Sequence, residues 1–290
     1  MIIKLQNLLF SLLLLPIFVG SAGAGVVDDD SRLAPVDFFK ATTTHPKETS
    51  YAASGSLYCG LAGIDVTAQV VVENDLLLTA AHFFFKLQDP QKPQAVTLRD
   101  NLDGCFFTSF FGPAAGKRIN LRLDTLRFYA LQVPGSPVKF NYQESWKKDL
   151  ALVRLDLSRH PSINFSAYSL APSQAGRPGD ENTLLTAVDG GSKSTYDFSP
   201  ALQMCKVRDT QKNIRSELPI LYTDCDVQNA GPSGAALLRV NGERLEVRAI
   251  LTGHYHSRTG EYSKVENSTT FVNLDTQARN WISRYIEEIK

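Results

Sequence analysis

"AQVVVENDLLLTAAHFFF" (residues 68–85) sets two short apolar runs, 68–72 and 76–81, on either side of the polar triplet Glu73-Asn74-Asp75. Short Val- and Leu-rich runs around turn-forming residues read as a β-hairpin. The same pattern recurs along the chain. "LALVRL" (150–155) is a compact apolar strand, and "LLTAV" (184–188), "ILYTDC" (220–225) and "TTFVNL" (269–274) are others. "AALLRV" (235–240) and "RLEVRAIL" (244–251) flank Asn241-Gly242, the strongest local hairpin signal. Strands that follow one another without intervening helices indicate an all-β barrel or sandwich.

The stretch from Asp156 to Thr183 is rich in Pro, Ser and Gly and has no strong apolar period, so residues 157–183 are expected to link two β units, 57–156 and 184–290. The end of the chain reads differently. In "DTQARNWISRYIEEIK" Asp275 can cap a helix, and Trp281, Ile282, Tyr285, Ile286 and Ile289 fall on one face. That face implies packing on a β unit.

Residues 1–24 have the layout of a secretory signal peptide: Lys4, an apolar run from Leu8 to Val19, and the small-residue ending Ala22-Gly23-Ala24. The run is short against the ~20 residues a membrane-spanning helix needs, so no integral membrane segment is expected after its removal. A secreted or periplasmic location follows. Residues 25–56, acidic and then polar, read as an extended N-terminal segment and a candidate propeptide. The 290 residues carry 30 basic and 30 acidic side chains, so no long-range field favours nucleic acid or anionic lipid as a partner. Cys59, Cys105, Cys205 and Cys225 in an exported chain read as two disulfides with three connectivities open. None forms a CxxC pair, so no metal site is expected.

Three of these segments carry groups that can do chemistry: His82 ends the first hairpin, Asp149 precedes "LALVRL", and Ser233 lies in "NAGPSGAALL" (229–238). Each alone reads blandly, as a core histidine, a turn aspartate and a loop serine. Together they are the three types that nucleophilic catalysis by serine requires. An alcohol needs a base to take its proton, and the base needs a third group to fix its tautomer. They occur in the order His, Asp, Ser, at separations of 67 and 84 residues, each beside an expected strand. An α/β-hydrolase elbow, G-x-S-x-G, is excluded because Ala235 stands two residues after the serine.

With these motifs the chain resembles the trypsin-like (chymotrypsin-fold) serine proteases, and within them the bacterial glutamyl-endopeptidase-like branch. "LTAAH" is similar to that family's histidine motif, "DLALVRL" to its aspartate motif, and "GPSGA" stands where the family has Gly-Asp-Ser-Gly-Gly or Gly-Asn-Ser-Gly-Ser. The resemblance covers roughly residues 57–290. It implies two six-stranded antiparallel β-barrels with a C-terminal α-helix, a monomer, no cofactor, and a protein or peptide substrate. It implies His82 as general base, Asp149 as its orienting partner and Ser233 as nucleophile, with the amides of Gly231 and Ser233 as the oxyanion hole. Counting back from Ser233 places Val227 and Gln228 in the primary specificity pocket. "ILTGHYHS" (250–257) stands where that branch presents a histidine to an acidic side chain, which makes His254 the candidate.

The departures from the family are specific. Pro232 replaces the usual Asp or Asn, so activation through a buried salt bridge to a new N-terminus has no partner. Phe83-Phe84-Phe85 replaces the cysteine that usually staples the histidine loop. The resemblance then implies Cys59–Cys105 within the first barrel and Cys205–Cys225 within the second. The runner-up reading is a trypsin-fold binding protein whose catalysis is impaired.

Overall fold

The computed structural model describes residues 32–42, 45–59, 64–87, 96–100, 102–130, 146–172, 179–189, 198–208, 220–227, 233–255 and 268–289. The signal-peptide stretch, the oxyanion candidate Gly231 and the pocket candidate Gln228 lie outside them.

The first β unit is a closed barrel. Its strands are β1 (Ser54–Cys59), β2 (Ile64–Val70), β3 (Leu76–Thr79), β6 (Cys105–Ser109), β7 (Ile119–Phe128) and β8 (Ala151–Leu155). They run in the order β1-β2-β3-β8-β7-β6, and β1 pairs with β6 to close the ring. Short strands β4 (Phe85–Leu87) and β5 (Val96–Leu98) form a separate hairpin after the His82 turn. β6 alternates buried and half-buried residues, as a strand with one face inside a barrel must. In the opening hairpin Val72 takes a left-handed φ of 61° and stands exposed, so the reversal begins one residue before the polar triplet.

The second unit contains β10 (Glu181–Asp189), β11 (Phe198–Lys206), β12 (Ile220–Thr223), β13 (Ala236–Asn241), β14 (Arg244–Tyr255) and β15 (Ser268–Asn273). The order is β11-β10-β13-β14-β15-β12. Beyond β11 the Val207–Thr223 bridge brings the sheet round to β12, helped by hydrogen bonds from Arg208 N to Tyr222 O and from Asp224 N to Lys206 O. The two-barrel, mostly β architecture expected from the sequence is the one found. The β13–β14 hairpin pairs Asn241 with Arg244, so the reversal itself is Gly242-Glu243 with Gly242 at φ 62°. Each barrel holds one disulfide, Cys59–Cys105 across β1 and β6 and Cys205–Cys225 between β11 and the segment just after β12.

The connecting segment is knitted into both barrels. Tyr168 N donates to Val70 O and Val72 N to Tyr168 O on the first. Strand β9 (Ser169–Leu170) then pairs in parallel with β14 on the second, where Ala171 N donates to Val247 O. Ile163, Phe165 and Tyr168 are buried, which is why a stretch without apolar period still has a fixed path. The described part of the N-terminal segment is also docked. Leu33 bridges Leu202 of β11, helix α1 (Pro35–Ala41) buries Phe38, and Tyr51 is fully buried.

Helix α2 (Thr276–Glu288) starts where Asp275 Oδ1 accepts from Ala278 N at 2.9 Å. It crosses to the first barrel, where Trp281 stacks on Tyr129 and the Tyr285 hydroxyl donates to Thr125 O at 2.9 Å. Beside it Arg154 of β8 is 8% exposed. Its Nη1 meets Asp75 Oδ1 and its Nη2 meets Glu73 Oε2, both at 2.6 Å, so one guanidinium holds the hairpin turn. Removing one partner from a well-buried ion network strands the others. Arg154→Ala is expected to cost about 2–4 kcal/mol, since the two carboxylates keep partial solvent contact. A lowered midpoint with unchanged slope in urea unfolding would report it.

Candidate active site

His82 stands in a 3₁₀ turn, Ala81–Phe84, directly after β3. Asp149 stands just before β8, which pairs with β3 through Thr79 and Ala151. Adjacent strands thus bring together residues 67 apart in sequence. The run Phe83-Phe84-Phe85 is buried, and Phe84 and Phe85 pack on Phe128 of β7 at ring separations of 5.8 and 4.8 Å. Aromatic packing anchors the turn where the family uses a disulfide.

The Asp149 side chain is fully buried and accepts three hydrogen bonds. Oδ1 accepts from the His82 backbone amide at 2.7 Å. Oδ2 accepts from His82 Nδ1 at 2.6 Å and from the Thr252 hydroxyl at 2.6 Å. An ionised carboxylate only accepts, so Nδ1 must carry the proton and the neutral ring leaves Nε2 as its basic nitrogen. A buried charge costs several kcal/mol unless it is hydrogen-bonded, and here every donor points at it. Burial of the imidazole pulls its pKa down, but the charge and hydrogen bond of Asp149 outweigh this and hold His82 above the ordinary histidine value. Arg99, close by, opposes them and pulls the ring's pKa down.

Thr252 went unrecognised in the sequence. β14 carries a register irregularity between Leu251 and Gly253, so Thr252 is the extra residue of a bulge, and bulges re-aim side chains. Only the pairing register reveals this.

Ser233 sits in a turn tied to both barrels. Its carbonyl accepts from Thr67 N at 2.9 Å, and the next residue, Gly234, donates to Leu251 O at 2.8 Å. Gly234 O accepts from Gln69 Nε2, which also reaches Leu78 O, both at 2.7 Å. Gly234 has φ +80°, and a Cβ there would come within 2.3 Å of Thr67 O and of Thr79 Oγ1, and within 3.0 Å of Ala80 N. The serine turn therefore presses on the chain two residues before His82.

The other candidates are distributed differently. Val227 is 1% exposed and its side chain belongs to the second barrel's apolar cluster with Leu184, Leu221 and Phe271. The backbone of His254 pairs with Thr269 on β14. Among the described residues no group of His, Cys, Asp and Glu is arranged to hold a metal ion, and no helix is long and apolar enough to cross a membrane.

No protein-family model matches the chain, and no curated protein matches it in sequence. Solved structures match it by shape. A Glu endopeptidase determined in complex with MPD aligns with a TM-score of 0.57 at 15% identity, over 90% of this chain and 98% of that one. Protease Anisep from Arthrobacter nicotinovorans gives 0.55 at 12% identity, over 82% of this chain and 97% of that one. The thermostable serine protease AL20 from an extremophilic microorganism gives 0.50 at 10% identity, over 80% of this chain and 95% of that one. The chain thus has the two-barrel fold of the trypsin-like serine proteases.

Gly234→Ala tests the pressed geometry. It adds a left-handed alanine and a clash with backbone, each costing about 1–3 kcal/mol. Thermal unfolding should show a fall on the order of 10 °C.

Proposed function

We propose that the chain is a secreted or periplasmic serine endopeptidase that hydrolyses peptide bonds through His82, Asp149 and Ser233 and an acyl-enzyme intermediate. The observation that carries this reading is the saturated Asp149 carboxylate, which holds His82 in the one tautomer that makes it a base. A binding protein that had given up catalysis would use the carboxylate as a tie between the barrels but would have no need of a proton fixed on Nδ1.

In this mechanism Ser233 Oγ attacks the carbonyl carbon as its proton passes to His82 Nε2. The imidazolium is stabilised by Asp149, which stays ionised. The carbon–nitrogen bond then breaks, the leaving amine takes the proton from Nε2, and the acyl group remains on Ser233 as an ester. Water, deprotonated by the same nitrogen, attacks the ester and returns the serine. The amides of Gly231 and Ser233 would face the developing oxyanion, where loss of one donor typically costs about 10²–10³ in rate. His254, on the strand that carries Thr252, is the candidate for reading the side chain before the scissile bond.

A fluorophosphonate probe should label the mature protein at Ser233, and Ser233→Ala should abolish the label. Absence of labelling beside a reactive control protease would refute the reading and favour the impaired binding protein. The pH profile follows from the site. The active form has neutral His82, whose pKa is raised, so kcat/KM should climb with pH through a limb above 6.5. Asp149→Asn should move that limb downward and lower kcat by about 10⁴. A limb unmoved by this substitution would show that His82 is not the titrating base.

A further inference from the structure

Arg99 follows the β4–β5 hairpin and folds back onto the His82 turn. Its amide donates to Phe84 O at 2.9 Å and its Nε to Phe83 O at 2.7 Å. Nη1 and Nη2, the end of the guanidinium that takes a carboxylate in two-point fashion, meet no acceptor among the described residues. The more deeply buried Arg154 and Arg248 are matched, Arg154 by Glu73 and Asp75 and Arg248 by Asp180. Arg99 is half-buried, burial pulls its pKa down, and yet a guanidinium does not give up its proton near neutral pH. Among the described residues Arg99 is thus a cation without a carboxylate partner, set close enough to act on His82, the ring that must become a cation during the reaction. That repulsion works against the stabilisation Asp149 gives the imidazolium, and a negative charge arriving at Arg99 would relieve it.

The charge that would cancel it belongs to the substrate, and the geometry of the two barrels says to which half. The acyl half is held covalently on Ser233, which belongs to the second barrel. The leaving half takes its proton from His82 and departs over the first barrel's His82 turn, to which Arg99 is pinned. We infer that Arg99 is a specificity-determining residue that binds a carboxylate side chain at the first or second position after the scissile bond. The inference rests on the protease reading above. It concerns the leaving-group side and is independent of which residue precedes the cleaved bond. A substrate with such a carboxylate neutralises Arg99 as it binds, so the imidazolium forms beside an ion pair and no longer beside a bare cation.

The test uses internally quenched peptides that differ only in carrying Asp, Asn or Lys at each of those two positions, with the cleaved bond checked by mass spectrometry. The wild type should prefer Asp over Asn at one position by about tenfold in kcat/KM at low ionic strength, the scale of one partly buried ion pair, and salt should shrink the ratio. In Arg99→Gln the ratio should fall to about one while the acid limb of the pH profile moves up. Arg99→Lys should restore part of the preference, and Arg99→Glu should turn it towards Lys. Fluorophosphonate labelling of each variant reports that its site is formed. Labelled wild type and Arg99→Gln with the same Asp-to-Asn ratio would overturn the inference and leave the protease reading standing. A wild type that neither labels nor cleaves would remove both.

Discussion

The Asp149 carboxylate is the interaction on which the rest of the site depends. It accepts from the backbone and the ring of His82 on the first barrel and from Thr252 on the second. A charge buried so completely tolerates only an arrangement in which all its donors stay in place. The tautomer of His82 and the path of β14 at Thr252 are therefore both tied to one group, which also joins the two barrels. The serine turn is fixed in the same manner, by donors and acceptors drawn from Thr67, Gln69 and Leu251.

What could be read from the sequence divides along the line between local and non-local physics. His82 and Asp149 were legible because each is attached to an apolar strand, and neighbouring strands bring their ends together. The capping aspartate of α2 and its buried stripe were legible for the same reason, since helix period and capping are local. Val72, Thr252 and Arg99 were not. The left-handed turn at Val72 depends on where β3 begins, the aim of Thr252 on a register slip in β14, and the path of Arg99 on a hairpin folding back over the histidine turn. Counting residues back from Ser233 pointed to Val227 as a pocket residue, while its side chain packs in the barrel core. Counting cannot see which face of the chain a residue ends on.

The N-terminal segment and the linker make the same point. Both are poor in apolar period, and in both single residues supply the anchorage, Phe38 and Tyr51 in one and Ile163, Phe165 and Tyr168 in the other. A segment does not need a repeating pattern to be held when a few large side chains are buried and its backbone groups find partners on neighbouring strands. Here both barrels provide those partners.

Helix α2 follows every strand of the second barrel in sequence, yet Trp281 and Tyr285 complete the surface of the barrel built first. During synthesis the N-terminal barrel must therefore wait, with Thr125 and Tyr129 uncovered, until Trp281 and Tyr285 have left the ribosome. The two barrels do not mature as successive independent units, and a chain cut before Trp281 loses part of the half that was made first.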